Sequence, residues 1–173
     1  MTPSRLPDRT LVVPDPGAMR DLGREFGETA PDHAVLLIEG PLGAGKTTFA
    51  QGVGEGCGVA EPITSPTYNL ILHYEGNRQF THVDLFRLAD SAALETLDLD
   101  EILSTDGVTC IEWPELIADR VRSSCARVRI RRSFSGTDAR AVSIDWEGEG
   151  WGRLMNRLLP ARRGTAAEEP RPP

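Results

Sequence analysis

The chain has 173 residues, of which 39% are hydrophobic, enough for one domain with a real core. Its 19 Lys and Arg against 26 Asp and Glu give a net charge of −7, which argues against gripping nucleic acid through bulk electrostatics but leaves room for a nucleotide pocket. The longest apolar run, Ala34–Ile38, is too short to span a membrane, and the opening MTPSRLPDRT lacks the apolar stretch of a secretory signal, so no membrane association and a cytoplasmic location are expected.

Strand and helix signals alternate along the chain, the pattern of an α/β protein. Residues 1–9 read as a flexible N-terminus, 10–159 as a single domain, and 160–173, with four prolines, as a disordered tail. Leu11–Val13 is a short strand. Asp15-Pro16 then supplies an N-cap and a proline for the first helical turn, and Met19, Leu22 and Phe26 recur at helical spacing. Ala34–Glu39 reads as a strand buried on both faces. Lys46 opens the next helix, with Phe49, Val53 and Cys57 on its apolar side; Gly52, Gly54 and Gly56 weaken its later turns and predict an early end.

Tyr68–Tyr74 and Gln79–Leu85 form a predicted hairpin around Glu75-Gly76-Asn77-Arg78. A helix follows over Leu94–Leu103, then a buried strand over Val108–Glu112 and a short helix near Glu115–Arg122. A second hairpin (Val128–Arg132, turn at Ser135-Gly136, Ala141–Trp146) and a helix carrying Trp151, Leu154 and Leu158 complete the core. The cysteines Cys57, Cys110 and Cys125 have no close pair and are expected to be buried, inert thiols.

The chemistry concentrates in Gly40-Pro-Leu-Gly43-Ala44-Gly45-Lys46-Thr47, which fits G-x-x-x-x-G-K-[ST] between a buried strand and a helix. Glycines let successive backbone N–H groups turn inward around phosphate oxygens, and the helix adds its positive N-terminal end. Lys46, the only lysine in the chain, supplies a compact charge for the β- and γ-phosphates, and the Thr47 hydroxyl is a Mg²⁺ ligand candidate. Such a loop needs an acidic partner at the end of an apolar strand. Val108-Thr-Cys-Ile-Glu112 and Phe80-Thr-His-Val-Asp84 both provide one, and the pair permits one acid to hold the metal while the other orients the attacking water. With its one lysine committed to phosphate, the chain has no Asn-Lys-x-Asp element for guanine, which favours ATP.

Other features admit two readings. Thr64-Ser65-Pro66-Thr67 is either a proline-fixed turn with hydroxyl caps or a switch segment that senses the γ-phosphate. Trp113-Pro114 follows Glu112 directly, placing the tryptophan at the pocket or on a docking surface. Arg127, Arg129 and Arg131 share one strand face, with Arg132 beside them, as a solvated edge or as a docking face for a partner or RNA. His33, His73 and His82 lack metal-ligand spacing; His82, on the same strand face as Asp84, reads as structural.

Taken in order, G-P-L-G-A-G-K-T-T-F, S-P-T, H-V-D-L-F-R-L and I-E-W-P resemble the TsaE (YjeE) family, the ATPase subunit of bacterial tRNA threonylcarbamoyladenosine biosynthesis, from about Val13 to Trp146. The resemblance implies a P-loop NTPase-like sheet flanked by helices, with added antiparallel β-hairpins. It implies ATP phosphates on Gly43, Ala44, Gly45, Lys46, Thr47 and Thr48, and Mg²⁺ on Thr47 and Glu112. Lys46 and Asp84 would be the catalytic pair, Ser65 and Thr67 the switch-like loop, and Trp113 the functional aromatic. The implied partners are TsaD-like and TsaB-like subunits, with tRNA acted on indirectly through the complex. Met19 stands where many members carry Thr, and Thr137 falls near a hairpin-turn position where many carry a basic residue. Competing readings are a small-molecule kinase that phosphorylates a nucleoside or metabolite, for which Arg120 and Arg122 form no recognisable lid, and a nucleotide sensor without turnover.

Overall fold

Ala34–Glu39, the apolar run before the glycine-rich loop, lies in the interior of one seven-stranded sheet. The structure is a computed structural model that describes residues 9–88, 98–121, 124–132 and 138–158. The expected loose residues 1–8, the tail 160–173, the turn at Ser135-Gly136, Thr137, Arg122 and the first part of the helix expected over Leu94–Leu103 lie outside the described residues.

The elements are β1 (Arg9–Val13), α1 (Pro16–Thr29), β2 (Ala34–Glu39), α2 (Lys46–Gly56), β3 (Ile71–Tyr74), β4 (Phe80–Asp84), α3 (Leu99–Leu103), β5 (Val108–Glu112), β6 (Cys125–Arg132), β7 (Arg140–Glu147) and α4 (Gly152–Leu158). The sheet order is β1-β7-β6-β2-β5-β4-β3. Its centre is parallel, with β2 between β5 and β6 and β4 beside β5, while β1, β7 and β3 pair antiparallel at the flanks.

Alternation along β2 divides the core. Ala34, Leu36 and Ile38 face a layer built from α1, α2 and α4 through Phe26, Phe49, Val53, Trp151 and Leu154. Val35 and Leu37 face a second cluster with Val83, Ile111, Leu99, Ile102 and Ile117. The apolar content of β2 and β5 follows directly, since a strand covered on both faces has no side to give to polar residues. Asp15 caps α1 as its sequence suggests, accepting the Ala18 N–H on Oδ1 at 2.8 Å with Pro16 in the first turn.

Several boundaries differ from the sequence reading. Strand β1 starts at Arg9, inside the segment expected to be loose. Strand β3 begins only at Ile71: Leu70 has a left-handed φ of 63° and its N–H bonds Pro66 O at 2.7 Å, so residues 67–70 turn instead of extending. The segment after Trp113 is a 3-10 turn, Pro114–Leu116, followed by further turns. Cys57 and Cys110 are buried as expected but Cys125 is half-buried; burial pushes the Cys57 thiol up to about 11 and also raises the other two, consistent with inert thiols.

The helix expected to stop early runs to Gly56. Gly52 and Gly56 form the surface on which α1 lies: a Cβ on Gly52 would collide with the Arg20 carbonyl oxygen and one on Gly56 with that of Arg24, while Gly23 and Gly27 of α1 make the reciprocal approaches to Phe49 and Val53. Close packing of the two helices outweighs the poor propensity of glycine. Gly52→Ala therefore tests sign as well as size. Propensity alone favours alanine by about 1 kcal/mol, yet the clash is expected to leave the variant about 2 kcal/mol less stable in urea unfolding.

Arg127 and Arg129 do not protect an exposed edge, because β6 lies between β2 and β7. Their side chains pair across neighbouring strands, Arg127 and Arg129 each reaching Glu39 at 3.2 Å and Arg129 reaching Asp145 at 2.7 Å. These contacts favour the sheet's own register over a free docking face for that part of the run.

Candidate functional site

The loop from Gly40 to Lys46 joins the C-terminal end of β2 to the start of α2, where the sheet places its strand ends together. Gly43 (φ 73°) and Gly45 (φ 107°) adopt left-handed backbone that a side chain would resist, and Gly45 is the N-cap of α2. The loop is braced from inside. Lys46 Nζ donates to Gly40 O at 2.8 Å and Pro41 O at 3.0 Å. The ammonium also lies 3.9 Å from the centroid of the Trp113 ring. Burial pushes the Lys46 pKa down, partly offset by the charges of Glu112, Asp84 and Glu115.

Trp113 holds its place at a backbone cost, in left-handed conformation (φ 56°, ψ 55°) immediately before Pro114. Its N–H bonds Ile38 O at 3.3 Å, tying the end of β5 to β2, and its ring rests 4.9 Å from that of Phe86.

The two acids are register partners, Asp84 opposite Glu112 on β4 and β5, so both carboxylates emerge on the face that carries α2. Both are almost fully buried. They are nevertheless held differently. Glu112 Oε1 accepts from the Thr47 hydroxyl at 2.9 Å. Asp84 Oδ2 accepts from Thr67 at 3.0 Å and from Ser65 at 3.5 Å, while Oδ1 accepts the Phe86 N–H at 3.0 Å. Ser65 and Thr67 are themselves 2.7 Å apart. The hydroxyl segment is thus a turn closed on Pro66 whose hydroxyls hold an acid of the site.

The residues expected to act together are brought together: Lys46 and Thr47 on α2, Asp84, Glu112, Ser65, Thr67 and Trp113 form one connected cluster at the strand ends. Gly43, Ala44, Gly45 and Thr48 lie in the loop and first turn beside it. Two further contributors were not assigned a role from the sequence. Arg140, on β7, donates from Nε to Ala44 O at 3.1 Å and fixes the loop from the far side of the sheet order; nothing local to it announces this. His82, taken as structural, bonds Glu112 Oε1 at 2.9 Å, and its position two residues before Asp84 was the available signal.

The donor set suits a hard cation. Thr47 and Glu112 offer oxygen only. Such donors fit Mg²⁺, which takes one or two protein oxygens and completes its shell with phosphate and water.

A sheet with a parallel centre, a glycine-rich loop feeding a helix, and acids on two neighbouring strand ends together define a P-loop-like α/β protein. The family model for threonylcarbamoyl adenosine biosynthesis protein TsaE matches residues 13–142, and the chain belongs to the TsaE family, which takes part in tRNA threonylcarbamoyladenosine biosynthesis. Among relatives that carry the name tRNA threonylcarbamoyladenosine biosynthesis protein TsaE, that of Mycobacterium bovis is 38% identical over 147 residues, covering 79% of this chain and 86% of the relative. That of Bacillus subtilis is 36% identical over 125 residues, covering 72% and 77%. The crystal structure of Bacillus subtilis YdiB superposes with a TM-score of 0.68 at 27% identity, covering 88% of this chain and 94% of that one. Among the described residues no helix is long and apolar enough to cross a membrane.

Proposed function

We propose that this protein binds and hydrolyses ATP, and that hydrolysis drives turnover of the assembly that adds threonylcarbamoyl to adenosine 37 of tRNA. The observation that carries this reading is the division of the two acids: Glu112 on the Thr47 hydroxyl, Asp84 apart from it on Ser65 and Thr67. Phosphates would lie on the N–H groups of Gly43–Thr48, with Lys46 balancing charge at the β- and γ-positions. Thr47 and Glu112 would hold Mg²⁺, which when bound neutralises charge developing on the phosphate oxygens. Asp84 would orient a water for in-line attack on the γ-phosphorus; the bond to the bridging oxygen breaks, ADP leaves, and the water's proton passes to the carboxylate or to solvent.

Exposed apolar side chains support a protein partner at the same place. Leu42, Tyr68, Phe86 and Leu116 are exposed, and each stands within four residues of a site residue. Such a surface suits the TsaD-like and TsaB-like subunits that the family resemblance implies, since a partner seated there would touch the loop that holds Asp84.

Phosphate release from Mg²⁺–ATP by the full chain, alone and with the partner subunits, tests the proposal, with slow release alone and faster release in the complex expected. Transfer of phosphate to an added nucleoside would instead identify a kinase. The switch is tested by calorimetric titration of partner complex into protein loaded with a non-hydrolysable ATP analogue or with ADP. The two affinities are expected to differ, by about tenfold if the coupling is of ordinary size. Ser65→Ala/Thr67→Ala is expected to shrink that difference more than it weakens nucleotide binding. Equal affinities in both nucleotide forms would leave a plain ATPase.

A further inference from the structure

We infer that His82 is a positioning residue for the Glu112 carboxylate, setting the geometry in which that acid and Thr47 take Mg²⁺. The inference rests on the ATP–Mg²⁺ reading above.

Glu112 Oε1 accepts two hydrogen bonds of equal length, 2.9 Å from Thr47 Oγ1 and 2.9 Å from His82 Nε2. A carboxylate ligates a metal in its ionised form, which only accepts hydrogen bonds, so in that form Nε2 is the donor of the contact. The His82 side chain is 0% exposed and that of Glu112 3%, so the bond is shielded from competing water. Strand order makes the contact. His82 lies opposite Cys110 and Asp84 opposite Glu112 on the neighbouring strand, so the imidazole reaches diagonally across the β4–β5 ladder. The imidazole lies beside the Phe80 ring, 6.0 Å between centroids.

Packing alone does not account for an imidazole in this slot. His82 Nδ1 is buried without a hydrogen-bond partner among the described residues, and an orphaned polar atom costs free energy that an apolar side chain of similar size would avoid. The charge-assisted bond to Glu112 offsets that cost, and its effect is directional. Contacts from both Thr47 and His82 to Oε1 restrain the orientation of the carboxylate, and the Thr47 hydroxyl, donating its proton to Glu112, keeps its oxygen lone pairs free for a cation. A residue that orients a metal carboxylate in this way typically changes metal affinity by 10–100-fold when it is removed.

The test compares nucleotide affinity in EDTA with affinity across a Mg²⁺ titration, using the full chain and a fluorescent ATP analogue. His82→Leu is expected to raise the Mg²⁺ concentration for half-maximal effect by about tenfold while leaving affinity in EDTA within about twofold. His82→Gln, which keeps an amide donor, is expected to recover most of the loss. In a Glu112→Gln background, His82→Leu is expected to add nothing, because its effect passes through the carboxylate. If His82→Leu does not fold, His82→Phe removes the donor while keeping an aromatic ring against Phe80 and carries the same expectation. A variant without the donor that titrates Mg²⁺ like the parent overturns the inference. So does an equal loss of affinity with and without metal, or an undiminished effect in the Glu112→Gln background. A parent chain that binds no nucleotide, or binds it indifferently to Mg²⁺, overturns the ATP–Mg²⁺ reading itself, and the inference with it.

Discussion

Lys46→Ala is expected to weaken ATP binding by about 100-fold or more, the loss of a charge-assisted contact to phosphate in a partly buried site. The fold should survive. What disappears with the side chain are its bonds to Gly40 O and Pro41 O, at 2.8 and 3.0 Å, and its place against the Trp113 ring. Loss of those bonds is offset in part because a buried ammonium no longer has to be desolvated, the same burial that lowers the Lys46 pKa. A stability change of about 1 kcal/mol is expected in thermal or urea unfolding. Lys46→Arg should not restore binding, since a planar fork cannot occupy the compact position between two carbonyls and an indole. Calorimetric titration with ATP decides the matter. Parental affinity in the alanine variant would show that the glycine-rich loop is not the phosphate site.

Asp84→Asn is expected to keep ATP affinity within about threefold and to lower turnover by about 100-fold, the usual scale for a positioned acid–base group. The substitution is gentle on structure. Asparagine keeps an oxygen for the Phe86 N–H, and its amide can donate to the Thr67 hydroxyl that Asp84 now accepts from, because a hydroxyl serves either role. What it loses is the negative charge that, on the proposed mechanism, would draw a water proton. Single-turnover hydrolysis with prebound ATP separates this from weakened binding. If the asparagine variant hydrolyses ATP at the parental rate, the water-orienting group lies elsewhere, and the hydroxyl segment that grips Asp84 has a conformational role only.

The elements written in local sequence are those whose causes are local. Asp15-Pro16 caps and starts α1; the run Ala34–Glu39 is apolar on both faces and becomes an interior strand; Gly43 and Gly45 permit the backbone that precedes α2. The acids Asp84 and Glu112 could be picked out because each ends an apolar strand, and Lys46 because it stands in a loop whose shape only glycines allow.

Tertiary structure decided the rest. Glycines that predict a short α2 instead let α1 approach its backbone, a fact that belongs to two helices and to neither sequence alone. The arginines of β6 are ion-paired across the sheet because β7 returns beside β6 and places Asp145 within reach, while β2 brings Glu39 from the other side. Arg140 reaches the loop, and His82 reaches Glu112, through strand neighbours far away in the chain. A single sequence carries the period and burial of each strand, which arise within a few residues. It does not carry the strand order, which depends on which apolar faces bury one another once all are present. The partners of Glu112 are set by that order, and so is the chemistry the site can perform.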